Sequence, residues 1–562
     1  MRFELIISTF KRTWEIVRSF ADSLSATGLI LGTVFLAFSL TPSLLPRTSV
    51  VQGLLTGFSF SAGYAIGTGL LYLWSYLEFR SAGRKLSIGL RVLGGILSIG
   101  TAILFFRKSD AWQDAARELI GADPYGGFNA VGTGFLALLV FVLVLLTFRF
   151  FRYIYRNIRE KLRPYVPRRV SQVISFSLAI TLFFMISNGI LFRLILLSVD
   201  ITYNRVDALL EPEFEAPTDP LMTGSEASFL RWEDAGLLGR RFLANVPSEQ
   251  EISALTNSPA MQPIRVYAGM RVDEDPVIRA RLALQELIRV GAFKRSILVL
   301  ITPTGRGWVD PASIVPLEYL HRGDIASVAM QYSYLPSPFS LFFEPEYGLE
   351  ATAALFREVY RYWSALPEET RPRLFLSGLS LGAMYSDMSF DFFDIINNPF
   401  HGALWSGPPY RTRTWMNVVA QRNPESPYWK PIFRDASVVR FSNQHGGFET
   451  AEGQAEWGAF RIAFLQYASD PVTFFSPHIA VREPVWMSGE RAFDVNPEFR
   501  WYPVVTMLQL ATDMIAGTAP KGFGHEYAAI HYLDAWYHLT EPDGWNQEAL
   551  NRLRIKVAEL DK

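Results

Sequence analysis

Cysteine is missing altogether from this 562-residue chain. Disulfides, thiolate metal sites and a cysteine nucleophile are therefore excluded. Charge is also thin: Asp, Glu, Lys and Arg make up 19% of the residues, below the roughly 25% of soluble globular domains. Neither sign dominates, with 53 Lys and Arg against 54 Asp and Glu, so the total leaves no electrostatic footprint for nucleic acid. What is abundant is apolar. Hydrophobic residues reach 49% and aromatics 14%, and the mean hydropathy is +0.15. That balance asks for a membrane.

Five long apolar stretches lie near residues 26–45, 51–76, 87–106, 130–148 and 173–197. Each reaches about the 20 residues that a helix needs to cross the hydrocarbon core. The first two dozen residues carry Arg2, Lys11, Arg12 and Arg18. They read as an amphipathic segment rather than a cleavable signal peptide. Ionisable residues are scarce inside the stretches, which speaks against an ion or proton pathway, and Arg193 is close enough to a helix end to snorkel. Basic residues collect between the second and third stretches (Arg80, Arg84, Lys85) and between the fourth and fifth (Arg149 to Arg169), whereas Asp110, Asp114, Glu118 and Asp123 mark the intervening loop. By the positive-inside rule the N-terminus and both basic loops are expected in the cytoplasm. An odd number of crossings then puts everything after residue 200 outside it.

In the second stretch Gly53, Gly57 and Ser61 recur at four-residue spacing, with Gly63 and Gly67 on another face. Small residues at that interval predict close helix packing. Two prolines within Thr41–Arg47 end the first helix at the outer interface. The expected organisation is a helical transmembrane bundle over 1–199, in contact with the lipid bilayer, and an acidic, proline-containing connector over 200–262 near the membrane surface.

Residues 263–562 follow another rhythm. Short β-branched or apolar runs at 264–268, 296–302, 325–331, 373–377, 402–406, 438–442 and 462–467 alternate with helical patterns at 276–290, 349–365 and 381–396. Such alternation predicts an α/β domain with a mostly parallel sheet. Ligands bind such sheets beyond the carboxyl ends of the strands.

The sharpest motif sits at one of those ends. The apolar run Arg373–Ser377 leads into Gly378-Leu379-Ser380-Leu381-Gly382 and then a helix-compatible stretch. A G-x-S-x-G between strand and helix is a nucleophile elbow: Gly378 and Gly382 clear the space around the Ser380 hydroxyl, and the helix N-terminus favours a developing oxyanion. A serine needs a base, itself oriented by an acid, in the chain order Ser, Asp or Glu, His. Five of the seven histidines lie well beyond the serine. His525, in the glycine-flanked loop Gly522-Phe523-Gly524-His525, is the expected base, with His445 its rival and His531 and His538 packing residues. Asp470 is the expected acid, since Pro471 stops the preceding strand and leaves Asp470 at its carboxyl edge; Asp494, Asp513 and Asp534 do not follow strands. Leu381, just after the nucleophile, is expected to give one oxyanion N–H. Thr304, Gly305 or Arg306, in the glycine-containing loop after 296–301, is expected to give the second. No metal or cofactor is expected.

Several segments together carry a family resemblance: Ser39–Arg47, Thr302–Gly305, Gln331–Ser337, Gly378–Gly382 and Ser469–Val472. Through them the chain resembles bacterial membrane proteins of the α/β-hydrolase family, with an N-terminal helical membrane region and a C-terminal catalytic domain. The resemblance implies a Ser-Asp-His hydrolase fold at the bacterial inner membrane and supplies no substrate. A catalytic domain tethered beside the outer leaflet points to an ester or lipid substrate, attacked by Ser380 through an acyl-enzyme. The alternatives are acyl transfer with the same triad and a noncatalytic envelope binding or assembly module. Phe339–Phe343 and Tyr334–Pro336 are candidates for an acyl pocket. Oligomeric state is not legible.

Overall fold

The computed structural model describes residues 15, 18–20, 22–79, 83–124, 127, 129–185, 207, 213–337, 340 and 345–562. Packing divides the chain into two units. The first takes Met1–Met185 together with Ser476–Met487 and Val495–Thr518; the second takes Ile186–Phe475, Ser488–Asp494 and Ala519–Lys562.

Five helices make up the described part of the first unit's N-terminal region: α1 (Ala26–Leu40), α2 (Ser49–Tyr76), α3 (Arg84–Leu119), α4 (Ala130–Leu162) and α5 (Arg168–Phe184). Ser25, Thr48 and Asn129 start α1, α2 and α4 by accepting a backbone N–H of the first turn, the usual N-cap role of such side chains. The small residues of α2 pack it on both sides. A Cβ at Gly57 would stand 2.6 Å from Val140 of α4, and one at Gly63 would stand 2.6 Å from the Leu31 carbonyl of α1. Ser49–Tyr76, Ile88–Leu119 and Ala130–Leu162 are long and apolar enough to cross a membrane. Along α3, Leu90, Val92, Ile96 and Ile99 are more than half exposed, a surface that lipid rather than water satisfies. These three helices are compatible with membrane association.

Some boundaries depart from expectation. α1 has 15 residues, about 22 Å of helix, short of the roughly 30 Å hydrocarbon thickness. α3 runs on through Asp110 and Glu118, and α4 through Arg149 to Lys161, where loops were expected. Ala, Arg, Glu, Gln and Leu are good helix formers, and continued helix satisfies the backbone without a turn. Residues 186–197 of the fifth stretch, Arg193 among them, fall outside the described residues, as does Arg80.

A buried ion pair sits in the loop between α1 and α2. Arg47 Nε lies 2.7 Å from Asp513 Oδ1, with both side chains wholly inaccessible. Asp513 belongs to the helix Val505–Ala516, which packs in the first unit. The Arg47 guanidinium also donates to Gln52 Oε1 at 2.9 Å and to Ser43 Oγ. The Arg47 N–H reaches Gln113 Oε1 of α3 at 2.7 Å, and the Leu45 N–H reaches Asp513 Oδ2 at 3.3 Å. Gln509 of the same helix donates to the Thr41 carbonyl at 3.2 Å, and Tyr502 stacks on Phe38 with centroids 4.0 Å apart. The two-proline segment thus binds a late piece of the chain, and residues 476–487 and 495–518 pack apart from the rest of 263–562.

The second unit is built on seven parallel strands: β1 (Ile264–Ala268), β2 (Ile297–Thr302), β3 (Ile325–Met330), β4 (Arg373–Leu379), β5 (Gly402–Ser406), β6 (Val439–Ser442) and β7 (Arg461–Leu465). They lie in the order β1-β3-β2-β4-β5-β7-β6. The fold is an α/β-hydrolase fold with an all-parallel sheet. Alternate residues feed opposite faces: Leu298 and Leu300 join one core, Ile297, Val299 and Ile301 the other. Both faces are covered by helices, which is why these strands read as continuous apolar runs. β3 and β4 flank β2 on opposite sides, so the chain reverses its direction of travel at β2, the place where such sheets open a crevice.

Two other differences matter. From residue 213 the segment expected as a connector is part of this unit: Trp232, Phe242, Leu243 and Ile252 lie in its core, and a Ser248/Glu251 capping box starts the helix Glu249–Thr256. The helical stretch expected over 381–396 divides into Leu381–Met388 and Phe392–Ile395, the second started by an Asp391/Asp394 capping box.

Breaking one side of a buried pair leaves a charge stranded. Arg47→Met is therefore expected to destabilise the first unit by about 3–5 kcal/mol, and Arg47→Met with Asp513→Leu by clearly less. Thermal unfolding of the detergent-solubilised chain checks both.

Candidate active site

Three strand ends build the site. β4 delivers Ser380, whose backbone lies at φ 59° and ψ −125°, a strained region for a residue with a side chain. The Ser380 N–H is held by the Ser406 carbonyl at the end of β5, 2.9 Å away. A Cβ at Gly378 would collide with the Gly382 backbone, and one at Gly382 with the Thr302 carbonyl of β2. Both glycines are thus demanded by the closeness of strand, turn and helix. Leu381 is the first residue of the following helix, so its N–H has no partner within that helix.

Asp470 follows a turn beyond the Leu465 end of β7, not the strand edge expected from Pro471, and is fully buried. Its carboxylate is heavily served: Oδ1 accepts the Val472 N–H at 2.8 Å. Oδ2 accepts His525 Nδ1 at 2.8 Å, the Tyr527 hydroxyl at 2.7 Å and the Thr473 hydroxyl at 3.3 Å. A carboxylate only accepts, so it selects the tautomer of His525 with the proton on Nδ1 and leaves Nε2 as a proton acceptor. The imidazole lies against the residue after Ser406: a Cβ at Gly407 would stand 2.6 Å from His525 Cε1. Ser380 and His525 are thus fixed to consecutive residues, one through the Ser406 carbonyl and the other across Gly407.

Burial disfavours the imidazolium of His525, but the charge of Asp470 and its hydrogen bond outweigh burial and raise the pKa above the usual histidine value. Tyr527 is pushed well above the ordinary phenol value by burial and by the neighbouring Asp470, so its hydroxyl stays a donor. Two of the other late histidines, His445 and His531, are engaged elsewhere. His445 packs edge-on against Phe493 with centroids 4.2 Å apart. His531 sits 2.5 Å from the Tyr467 hydroxyl, its pKa lowered by burial to about 4.

The loop after β2 is pinned from several sides. The Thr304 N–H donates to the Trp308 carbonyl at 2.9 Å, and the Gly305 N–H to Ser337 Oγ at 3.0 Å. Gln331 Nε2 donates to the Arg306 carbonyl at 3.0 Å, and the Tyr267 hydroxyl to the Gly307 carbonyl at 2.7 Å. Two of the three residues expected to give a second oxyanion N–H, Thr304 and Gly305, therefore already spend it within the protein. Leu335, from the aromatic segments considered for a pocket, is buried; Phe339 and residues 341–343 lie outside the described residues. Among the described residues no group of three His, Asp or Glu is placed to hold a metal ion.

Tyr527 and Gly407 escaped the sequence reading. Tyr527 was given no role, and only its position two residues after His525 hinted at a shared partner. Gly407, just past the β5 run, carried the signal of a glycine at a strand end. Because neutral His525 is the form that accepts a proton, chemistry routed through it is expected to fade as pH falls through its raised pKa. A pH–rate profile is then expected to have its acid midpoint above about 6.5. Asp470→Asn is expected to cost about 10⁴-fold in rate, measured on the same profile.

Known families match along most of the chain. The model of the α/β-hydrolase family matches residues 264–553, and that of the α/β-hydrolase family N-terminus matches residues 40–247. No curated protein and no solved structure matches it. With the elbow, the parallel sheet and the histidine-bonded carboxylate in place, the family match to half of the chain closes the case: the chain belongs to the α/β-hydrolase family, which supports a hydrolase-type function.

Proposed function

We propose that the protein is a membrane-anchored serine hydrolase that cleaves ester bonds of a lipid or another envelope ester. Ser380 attacks the carbonyl carbon, His525 takes the hydroxyl proton, and Asp470 holds the imidazole in the accepting tautomer. The alkoxide leaves with the proton returned by His525. Water, or an acceptor alcohol in a transfer reaction, then cleaves the acyl-enzyme by the same proton route. The Leu381 N–H, at the head of its helix, donates to the developing oxyanion. The observation that carries this reading is the bond between His525 and the buried Asp470, beside a serine on a strained elbow.

The bilayer reading draws support from the three long apolar helices and from the basic run on α4 and α5. That run belongs on the cytoplasmic side of a bacterial inner membrane by the positive-inside rule, with the hydrolase unit outside. Proximity to the outer leaflet would give lipid esters a high local concentration.

Two experiments follow. In a deletion strain restored with the wild-type gene or with Ser380→Ala, one envelope ester is expected to accumulate in the second alone; identical lipid profiles would remove the lipid-ester substrate. The cysteine-free chain also makes topology directly readable. In intact cells, a membrane-impermeant maleimide is expected to label Glu274→Cys and to spare Arg156→Cys, and the reverse pattern would invert the orientation.

A further inference from the structure

The residue before Asp470 reaches the base loop by another route. Ser469 is fully buried, and its hydroxyl accepts the Gly524 N–H at 2.9 Å. That hydroxyl donates in turn to Asp494 Oδ2 at 2.7 Å. The same oxygen accepts the Ser469 N–H at 3.0 Å and Gln444 Nε2 at 3.0 Å. Asp494 is 1% exposed, and its second oxygen, Oδ1, has no hydrogen-bond partner among the described residues. Burying a carboxylate with one oxygen unserved is costly, and such a group in a native structure asks for a reason.

The reason lies at Gly524. Its φ of +58° is the left-handed conformation that glycine adopts without strain, and the next residue is His525. The loop is closed on itself by the Gly522 N–H on the Glu526 carbonyl at 2.7 Å and by Lys521 Nζ 3.0 Å from Glu526. The Gly524 N–H ties that closed loop to the end of β7.

We propose that Ser469 and Asp494 are positioning residues for His525. Asp494 orients the Ser469 hydroxyl, the hydroxyl fixes the Gly524 N–H, and the backbone is thereby held where the imidazole meets Asp470. Two consecutive residues divide the work: Ser469 holds the backbone of the base and Asp470 holds its ring. Neither Ser469 nor Asp494 touches substrate. This proposal rests on the serine-hydrolase reading, in which His525 serves Ser380.

The test measures the second-order rate of fluorophosphonate labelling against pH for the full-length chain in detergent, wild type, Ser469→Ala and Asp494→Asn. Rates are taken per folded chain, from thermal unfolding of the same samples. The charged groups acting on His525 are Asp470 and Glu526, which favour its imidazolium, and Lys521, which opposes it; both variants keep all three. A misplaced base is expected to lower the rate per folded chain roughly 10–100-fold and to move the acid midpoint down as the bond to Asp470 loosens. A smaller folded fraction with an unchanged rate per folded chain would mean a merely structural role and overturn the proposal. Ser469→Ala, which only deletes a hydroxyl, keeps the test decisive if Asp494→Asn fails to fold. Wild-type protein that never labels would remove the serine-hydrolase reading itself, whereas normal wild-type labelling with unaltered variants would remove this proposal alone.

Discussion

A carboxylate taken wholly out of water survives only if donors replace the water it loses. Asp470 meets that condition with the Val472 N–H, the hydroxyls of Tyr527 and Thr473, and the ring N–H of His525. Much of the surrounding architecture follows from gathering those donors at one strand end. Past the end of β7, Pro471 opens a one-turn helix whose Val472 N–H meets the carboxylate. Tyr527 and His525 come from a loop 55 residues later in the chain, so the sheet edge must receive a distant segment in a fixed pose. Glycine at 407 clears the volume that the imidazole fills.

What happens between Asp470 and His525 gives the chain its particular character. Residues 476–487 and 495–518 pack with the N-terminal helices, and the Arg47–Asp513 pair is the polar centre of that packing. A buried ion pair is a poor source of net stability but a good specifier of one arrangement, because any other leaves two charges stranded. Arg47 ends the two-proline segment, where a helix must stop and a loop must bury its backbone. The guanidinium and the amides of Gln52, Gln113 and Gln509 serve that loop's polar groups. The excursion is thus specified by its own chemistry within the first unit, while Ser488–Asp494 returns to the second.

Much of the second unit was legible because each strand of a doubly covered parallel sheet is a short, unmixed apolar run. All seven runs correspond to strands within a residue or two, and G-x-S-x-G stood at the join of strand and helix as its mechanics require. Asp470 was read from a strand stop at Pro471, although β7 already ends at Leu465; His525 was legible through its glycines, as far as their bond to one another goes. Less legible was anything that depends on tertiary partners. The acidic segment from residue 213 read as a connector because its apolar residues are sparse, yet Trp232 and Phe242 bury enough surface to join the core. Asp494 and Asp513 were set aside for not following strands. Both proved to be buried carboxylates whose partners, Ser469, Gln444 and Arg47, are remote in sequence, and no local pattern announces such pairs. The ends of α3 and α4 were missed because charge was read as loop, although Arg, Glu and Gln favour helix as readily as Leu does.

In the proposed reaction Ser380 is a nucleophile made reactive by His525 and Asp470. The most direct test is intact-protein and peptide mass spectrometry after fluorophosphonate treatment of the folded, full-length chain. One adduct per chain is expected, on the peptide that contains Ser380, with loss of that adduct in His525→Ala. An adduct on another residue, or none on well-folded protein, would contradict it.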